Sequence, residues 1–307
     1  MSTRKKPPLL EDVSDTGRWV AFLRALESER QDALFRDPFA RQLAGERGRR
    51  IAEGMPAPPG ARPGPSAFAS LLAVRTRVFD EMILASIETI RADAVLNLAA
   101  GLDARPYRLA LPPSLVWIET DRKEVLDAKA RVLENAKAAC IVERLALDLG
   151  NEQARRSAID RVAASHARVV VISEGLLVYL DEAVVSSLAR ELRSRPSFRR
   201  WVLEGASPDA VKRNMRAWGE ILAQAHAEWK FAPQDGLEFF RLQGWTPAVK
   251  RPFFVEARRL RRDRELRFAW LVGALSTLSR RFRRRLEESV VYGVVEPDFN
   301  HAQSDEP

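Results

Sequence analysis

The stretch Val95–Leu109, VLNLAAGLDARPYRL, decides the fold, because an apolar, strand-like segment runs into a turn of small residues and then into charge. Ala99 stands where a glycine-rich nucleotide loop has its first glycine. Leu102 or Asp103 stands where a dinucleotide-binding loop needs another glycine, and the Gly-Lys-Ser/Thr that cradles phosphates is missing. The stretch therefore predicts a buried strand and a turn that is not built for pyrophosphate.

Strand-like segments continue along the chain and alternate with helical patterns. They are LVWIETD (115–121), IVERLALDL (141–149), ARVVVISEG (167–175) and RRWVLEGA (199–206). Helices are predicted over 67–90 and 123–137 from their apolar spacing. This alternation predicts βαβ units, a parallel sheet and a doubly wound α/β fold. The later run ESVVYGVVE (288–296) predicts a closing antiparallel strand at or near an edge.

Composition favours an intracellular globular protein. The chain has 307 residues, of which 46% are hydrophobic, enough for one large α/β domain. It contains one cysteine, Cys140, and its histidines, His166, His226 and His301, lie too far apart in sequence for metal-ligand spacing. We therefore expect no metal site, and the absence of a signal-peptide pattern or an apolar membrane span favours the cytoplasm.

The basic charge raises nucleic acid as a partner. The formal charge is +8 and the sequence pI is about 10.0. Much of the excess lies in 256–267 and 279–288, where arginines alternate with apolar residues at helical spacing. We interpret these segments as two solvated helix faces, since no RNA- or DNA-binding motif accompanies them.

Acidic residues follow successive predicted strands and indicate the ligand. Asp121 comes 20 residues after Gly101, which suits hydrogen bonding to ribose hydroxyls. Asp148 and Glu174 follow the next two strands, and ligands of open α/β sheets bind at these carboxyl ends. Carboxylates in this position repel pyrophosphate but suit a cofactor with ribose, adenine and an ammonium group. S-adenosylmethionine has these groups and no phosphate.

The same residues carry a family resemblance. VLNLAAGLDARPYRL resembles the signature nLGaGlDtRaYRL of leucine carboxyl methyltransferase-like, class I S-adenosylmethionine-dependent methyltransferases, a group that includes polyketide O-methyltransferases. Other segments resemble the family in the same order, namely 15–40, LAVRTRVFDE (72–81), ISEGLLVYLDEAVVSSL (172–188), FFRLQGWTP (239–247) and VVYGVVEP (290–297). The similarity spans about 14–296.

The resemblance implies a Rossmann-like, mostly parallel, seven-stranded sheet within a single domain. The expected organisation is a disordered N-terminus (1–13), a helical cap (14–90) with a Pro/Gly-rich loop (53–66), a cofactor-binding core (91–206), a helical lid insert (207–250), C-terminal helices with the closing strand (251–297), and a disordered tail (298–307). The cap and the insert are expected to cover the active site.

The resemblance also implies a set of cofactor-binding residues. These are Arg75 for the methionine carboxylate, Ala99 and Gly101 in the turn, Asp121 for the ribose, Asp148 and Leu149 for the adenine, and Glu174 near the methionine amino group. From the residues alone, a role of Arg75 in binding a carboxylate and a plain structural role, as a surface helix residue or the partner of Asp80 or Glu81, are equally well supported. Its guanidinium fork suits a carboxylate.

Several residues near the motif allow other interpretations. Ala99 departs from the family's usual glycine, and a methyl group there is tolerated if φ is negative. We expect Arg108 to pair with Asp103 and hold the turn, and Cys140 to be a small core residue. Tyr179 is a weak candidate for the acceptor side, because a half-buried tyrosine on a helix is common.

The predicted activity is methyl transfer from S-adenosylmethionine to a carboxylate or hydroxyl oxygen of a small, polyketide-like acceptor. No histidine follows a predicted strand, which favours an acceptor that needs no general base. One alternative is a nucleic-acid methyltransferase, although SEGL (173–176) replaces the Asn-Pro-Pro-Tyr type of motif. Another is a non-catalytic protein that binds the cofactor. We expect neither a membrane nor a nucleic-acid partner.

Overall fold

The structure is a computed structural model that describes residues 8–57, 64–263 and 289–298. Residues 58–63 of the Pro/Gly-rich loop, residues 264–267 of the first basic segment and the whole of the second basic segment lie outside the described residues. So do the predicted disordered ends, apart from 8–13 and Asp298.

The elements follow the alternation expected from the sequence. The helices are Ser14–Ser28 (α1), Ala40–Gly54 (α2), Pro65–Ile90 (α3), Arg105–Arg108 (α4), Lys123–Val132 (α5), Glu152–Ser165 (α6), Glu182–Arg193 (α7), Pro208–Gln224 (α8) and Phe253–Arg259 (α9). The strands are Ala94–Leu98 (β1), Val116–Asp121 (β2), Ile141–Ala146 (β3), Val169–Ser173 (β4), Phe198–Ala206 (β5), Trp245–Pro252 (β6) and Val290–Pro297 (β7). Short 3₁₀ helices span Leu177–Tyr179 and Gly236–Gln243. No helix in the described ranges is long and apolar enough to cross a membrane.

The sheet has seven strands in the order β3-β2-β1-β4-β5-β7-β6. Strands β1 to β5 run parallel to one another, and β7 pairs antiparallel with both β5 and β6. The predicted doubly wound, mostly parallel sheet and its antiparallel closing strand are confirmed. Strand order reverses between β1 and β4, so their carboxyl ends form the crevice where such sheets bind ligands.

Strand β6 is missing from the prediction, which assigned 207–250 to a helical insert. The last part of that range belongs instead to this edge strand. Pro247 and Pro252 interrupt the segment's strand pattern, and its register shifts between Pro247 and Val249. An edge strand tolerates proline because one row of its backbone N–H groups needs no partner.

The alternation of side chains along β4 shows how helices cover both faces of the sheet. Val169 and Val171 pack in a cluster with residues of α6 and α7. Val170 and Ile172 pack on the opposite face with residues of α3 and α9. The first four residues of β4, VVVI, are therefore all apolar, since each faces a buried layer.

A third cluster joins the N-terminal helices to α8 above the turn that follows β1. It contains Phe22 of α1, Leu43 of α2, Leu102 of the turn and Trp218 of α8. Leu10 is fully buried in the same cluster, so part of the N-terminus that we expected to be disordered is packed against the domain. Helix α5 ends at Val132, earlier than predicted, and the next residue is buried in this cluster.

The first basic segment differs from the expected solvated helix face where it is described. Arg262 is 3% exposed and donates hydrogen bonds to Glu27 at 2.8 Å and to Asp32 at 3.0 Å. Arg259 is paired with Glu81 and Glu256. These arginines therefore neutralise acids of this chain, which leaves less charge for an external polyanion.

Candidate functional site

The turn after β1 has an unusual backbone at two positions. Ala99 has φ +50° and Gly101 has φ +48°, both in the left-handed region. Between them, the Ala100 N–H donates to Thr120 O at 2.9 Å and ties the turn to β2. The condition under which a methyl group would be tolerated, a negative φ at Ala99, is not met. Alanine therefore replaces the family's usual glycine at a position whose backbone favours glycine.

The alanine should cost stability. Left-handed backbone costs an ordinary residue about 1–2 kcal/mol, while glycine loses about 0.5–1 kcal/mol more conformational entropy on folding. We expect Ala99→Gly to raise the free energy of unfolding by roughly 0.5–1 kcal/mol, measured by urea denaturation. Ala100→Gly is the control, since Ala100 is buried and is not among the positive-φ residues, and it should be destabilising. A loss of stability in Ala99→Gly would contradict this account.

Asp121 closes the turn from the end of β2. Its Oδ2 accepts the Gly101 N–H at 2.7 Å, and its Oδ1 accepts the Arg122 N–H at 2.7 Å. Burial raises the pKa of Asp121, although these two N–H groups and the charge of Arg122 oppose the shift. A Cβ at Gly101 would have only Ala99 O, at 3.9 Å, within 4 Å, so the turn is open above it.

Arg75 of α3 lies between two glutamates at the ends of β4 and β5. Its Nε donates to Glu174 Oε1 at 2.9 Å, and its Nη1 lies 3.5 Å from Glu204 Oε1. The Gly175 N–H donates to Glu204 Oε1 at 2.5 Å. The alternatives of a surface Arg75 or a pair within its own helix are wrong, because its partners come from the sheet.

Arg105 forms the centre of the charge network. It is 2% exposed and donates to Asp80 at 2.7 Å, to Asp103 at 3.0 Å and to Glu174 at 2.6 Å. Arg108 instead donates to both oxygens of Asp80 at 2.7 Å. The expected Arg108–Asp103 pair is therefore wrong, since Arg105 on the same helical turn takes that role.

The network holds Asp103 and Glu174 ionised, and its carboxyl groups outnumber its guanidinium groups. Burial alone would raise the pKa values of Asp103 and Glu174, but neighbouring cations, above all Arg105, hold both below their ordinary values. Three guanidinium groups face four carboxylates, those of Asp80, Asp103, Glu174 and Glu204. This site suits a cationic ligand, as the strand-end pattern predicted.

One cavity of about 1020 Å³ brings the predicted residues together. Its lining includes every residue predicted for the cofactor, namely Arg75, Ala99, Gly101, Asp121, Asp148, Leu149 and Glu174, and also Tyr179. Among them, Asp148 is exposed and Leu149 is buried. Cys140, the expected core residue, is buried and does not line the cavity, and burial raises its pKa to about 11.

Comparison with known proteins identifies the family. The model of the leucine carboxyl methyltransferase family matches residues 18–193, more than half of the chain. The chain belongs to the leucine carboxyl methyltransferase family. The predicted resemblance is confirmed.

Relatives and a solved structure extend the match beyond that range. A protein of Streptomyces coelicolor is 34% identical over 76% of this chain and 85% of its own length, and one of Mycobacteroides abscessus is 31% identical over 77% and 84%. Both are provisionally named S-adenosyl-L-methionine-dependent methyltransferases. The crystal structure of a DUF574 family protein of Streptomyces avermitilis has a TM-score of 0.57 at 8% identity, covering 92% and 97% of the two chains. At that identity it shows the fold alone.

Two residues of this candidate site were not predicted from the sequence. Arg105 lies inside the quoted motif, but its position between three acids depends on α3 and β4. Glu204 could have been found, because Glu204-Gly205 lies near the end of the predicted segment RRWVLEGA just as Glu174-Gly175 ends the segment ARVVVISEG. A second glutamate-glycine pair after a buried strand was a signal for a second strand-end carboxylate.

Proposed function

We propose that this methyltransferase uses S-adenosylmethionine to methylate an oxygen of a small, apolar acceptor with a polyketide-like ring system. The observation that carries the proposal is the shared cavity. An acidic, ribose-type site at the ends of β1, β2 and β4 shares the cavity with a wall of aromatic rings from α1, α3, α8 and the segment that follows α8. When bound, S-adenosylmethionine supplies an electrophilic methyl group on a sulfonium centre.

Asp121 would hold the ribose of the cofactor. Each of its carboxylate oxygens accepts one backbone N–H and retains a lone pair for a further donor. The two backbone contacts fix the carboxylate beside the open turn at Gly101. The arrangement supports the ribose role predicted from the 20-residue spacing.

Arg75 would bind the methionine carboxylate. Glu174 engages Nε, which leaves Nη2 of Arg75 without a hydrogen-bond partner among the described residues. Nη1 and Nη2 face Gly175, where a Cβ would lie 3.5 Å and 3.8 Å from them. Glu174 both orients Arg75 and supplies negative charge for the methionine amino group, while Asp148 and Leu149 would flank the adenine.

The aromatic wall supports a ring-containing acceptor. Trp19 contacts Phe68 at 4.8 Å between ring centroids, Phe68 contacts Trp218 at 5.4 Å, and Trp218 contacts Trp229 at 5.9 Å. All four rings line the cavity. They would exclude water and hold the acceptor in line with the transferred methyl group, which is the main task of an enzyme for this displacement. Tyr179 lines the same cavity and remains a candidate for contacting the acceptor.

Methyl transfer from labelled S-adenosylmethionine tests the proposal. The acceptor panel should contain polycyclic phenols, aliphatic alcohols and carboxylic acids of matched skeleton. We expect label on an oxygen of at least one apolar, ring-containing member, and weaker transfer after Trp218→Ala. Binding of S-adenosylmethionine without transfer to any oxygen acceptor would contradict the proposal. So would transfer to RNA that RNase treatment abolishes.

A further inference from the structure

We propose that Glu204 is a general base that accepts the proton of a hydroxyl acceptor, which makes an alcohol or a phenol the substrate class rather than a carboxylate. The inference rests on the proposed oxygen methylation and names its acceptor. Sequence reasoning assigned no role to Glu204 and no base to the reaction.

Glu204 lines the part of the cavity where the acceptor would bind if the cofactor binds as proposed. The strands β2, β1, β4 and β5 are neighbours in that order in the sheet. Asp121, proposed to bind the ribose, ends β2, the turn follows β1, and Glu174, proposed to lie near the methionine amino group, follows β4. The next strand is β5, which carries Glu204. The side of the cavity beyond the methionine end of the cofactor is therefore lined by Glu204, and its neighbour across the β5–β7 pair, Tyr292, lines the cavity too.

One carboxylate oxygen of Glu204 accepts a backbone hydrogen bond, and the other can accept the proton of a substrate. Oε1 accepts the Gly175 N–H at 2.5 Å and lies 3.5 Å from Arg75 Nη1. Oε2 accepts no hydrogen bond from any described residue. The side chain is 19% exposed and lines the cavity. A positioned carboxylate with a free oxygen at the cavity wall is the geometry that a general base needs.

The charges around Glu204 suit proton transfer. It faces Arg75 of α3, Glu174 at the end of β4 and Tyr292 of β7. Burial raises the pKa of Glu204, and the like charge of Glu174 adds to the shift against the opposing effects of Arg75 and the Gly175 N–H. A carboxylate with a raised pKa is a stronger base than an ordinary glutamate, so it accepts a hydroxyl proton more readily.

The same charge disfavours a carboxylate acceptor. An acceptor carboxylate at this end of the cavity would face Glu204 and Glu174, and like charges at close range repel in a partly buried site. A neutral hydroxyl meets no such repulsion and can donate its proton to Oε2. In the step, the acceptor O–H bond breaks and its proton moves to Glu204. The oxygen then forms the new C–O bond with the methyl carbon as the C–S bond breaks, and the sulfur keeps that electron pair.

The test compares wild type with Glu204→Gln on phenols, alcohols and carboxylic acids of matched skeleton. Glutamine keeps the oxygen that faces Gly175 but is not a base. We expect kcat for the hydroxyl acceptors to fall by about 10²- to 10³-fold. Calorimetry should give an unchanged affinity for S-adenosylmethionine, which also shows that the variant is folded. Glu228→Gln is the control, a half-buried glutamate that is not among the cavity-lining residues.

The pH profile separates a base from a positioning group. Because the base must be ionised, wild-type kcat should fall as the pH drops through the pKa of Glu204. The pH profile of Glu204→Gln should not show this fall. Transfer to carboxylic acids alone, or hydroxyl methylation that Glu204→Gln leaves intact, would overturn the inference and leave oxygen methylation standing. Loss of S-adenosylmethionine affinity in Glu204→Gln would also overturn it, by making Glu204 a cofactor ligand. Failure of the wild type to bind S-adenosylmethionine would instead overturn the proposed function.

Discussion

Replacing Arg105 by methionine is expected to lower the free energy of unfolding by about 3–5 kcal/mol, the cost of removing one partner from a buried ion network. Methionine fills much of the same volume without a charge. Asp80, Asp103 and Glu174 would each lose a buried guanidinium contact. Arg75 and Arg108 would remain, but each already has its own carboxylate partners.

Urea denaturation followed by circular dichroism measures this effect. Arg49→Met is the matched control, because Arg49 of α2 is paired with Glu46 and Glu53 on the surface. Exposed pairs contribute little, so the control should unfold at the wild-type urea concentration. Equal stability of Arg105→Met and Arg49→Met would show that the network does not hold the site together.

Asp121→Ala should weaken S-adenosylmethionine binding by about 10- to 100-fold, the equivalent of roughly 1.4–2.7 kcal/mol of charge-assisted hydrogen bonding to the ribose. Stability should not fall in parallel. A carboxyl whose pKa is raised in the folded state favours folding most when protonated, so ionised Asp121 contributes no such stability at neutral pH.

Calorimetric titration with S-adenosylmethionine measures the change in affinity. Asp127→Ala is the control, since Asp127 of α5 is paired with exposed Lys123 and does not line the cavity. The wild-type affinity should also fall on acidification through the raised pKa of Asp121, because the protonated carboxyl accepts hydrogen bonds less well. Unchanged affinity in Asp121→Ala would refute the ribose assignment.

The parts of the fold that were predictable are those set by local sequence pattern. Strands such as β1 and β4 each have four apolar residues out of five, because both of their faces are buried. Their alternation with helices leaves few possible topologies. Strand β6 was not predictable in this way. Its prolines are acceptable only because pairing with β7 makes it an edge, which is a consequence of the whole sheet.

The candidate site likewise has residues whose position could be predicted from the sequence and residues whose position could not. The strand-end residues Gly101, Asp121 and Glu174 could be placed in one cavity, because parallel strands bring their carboxyl ends together. Which arginine meets which acid was not predictable from spacing. Arg105 and Arg108 lie on one helical turn, and only the position of α3, with its Asp80, decides their partners. The left-handed conformation of Ala99 likewise follows from the path between β1 and β2.

A crystal structure of the chain with S-adenosylhomocysteine tests the central claim most directly. We predict one ligand in the described cavity, with ribose hydroxyls about 2.6–3.2 Å from the Asp121 carboxylate and the homocysteine carboxylate on Arg75. The ligand sulfur should point toward Glu204 and the aromatic wall. Ligand density outside this cavity, or a ribose that does not contact Asp121, would contradict the account.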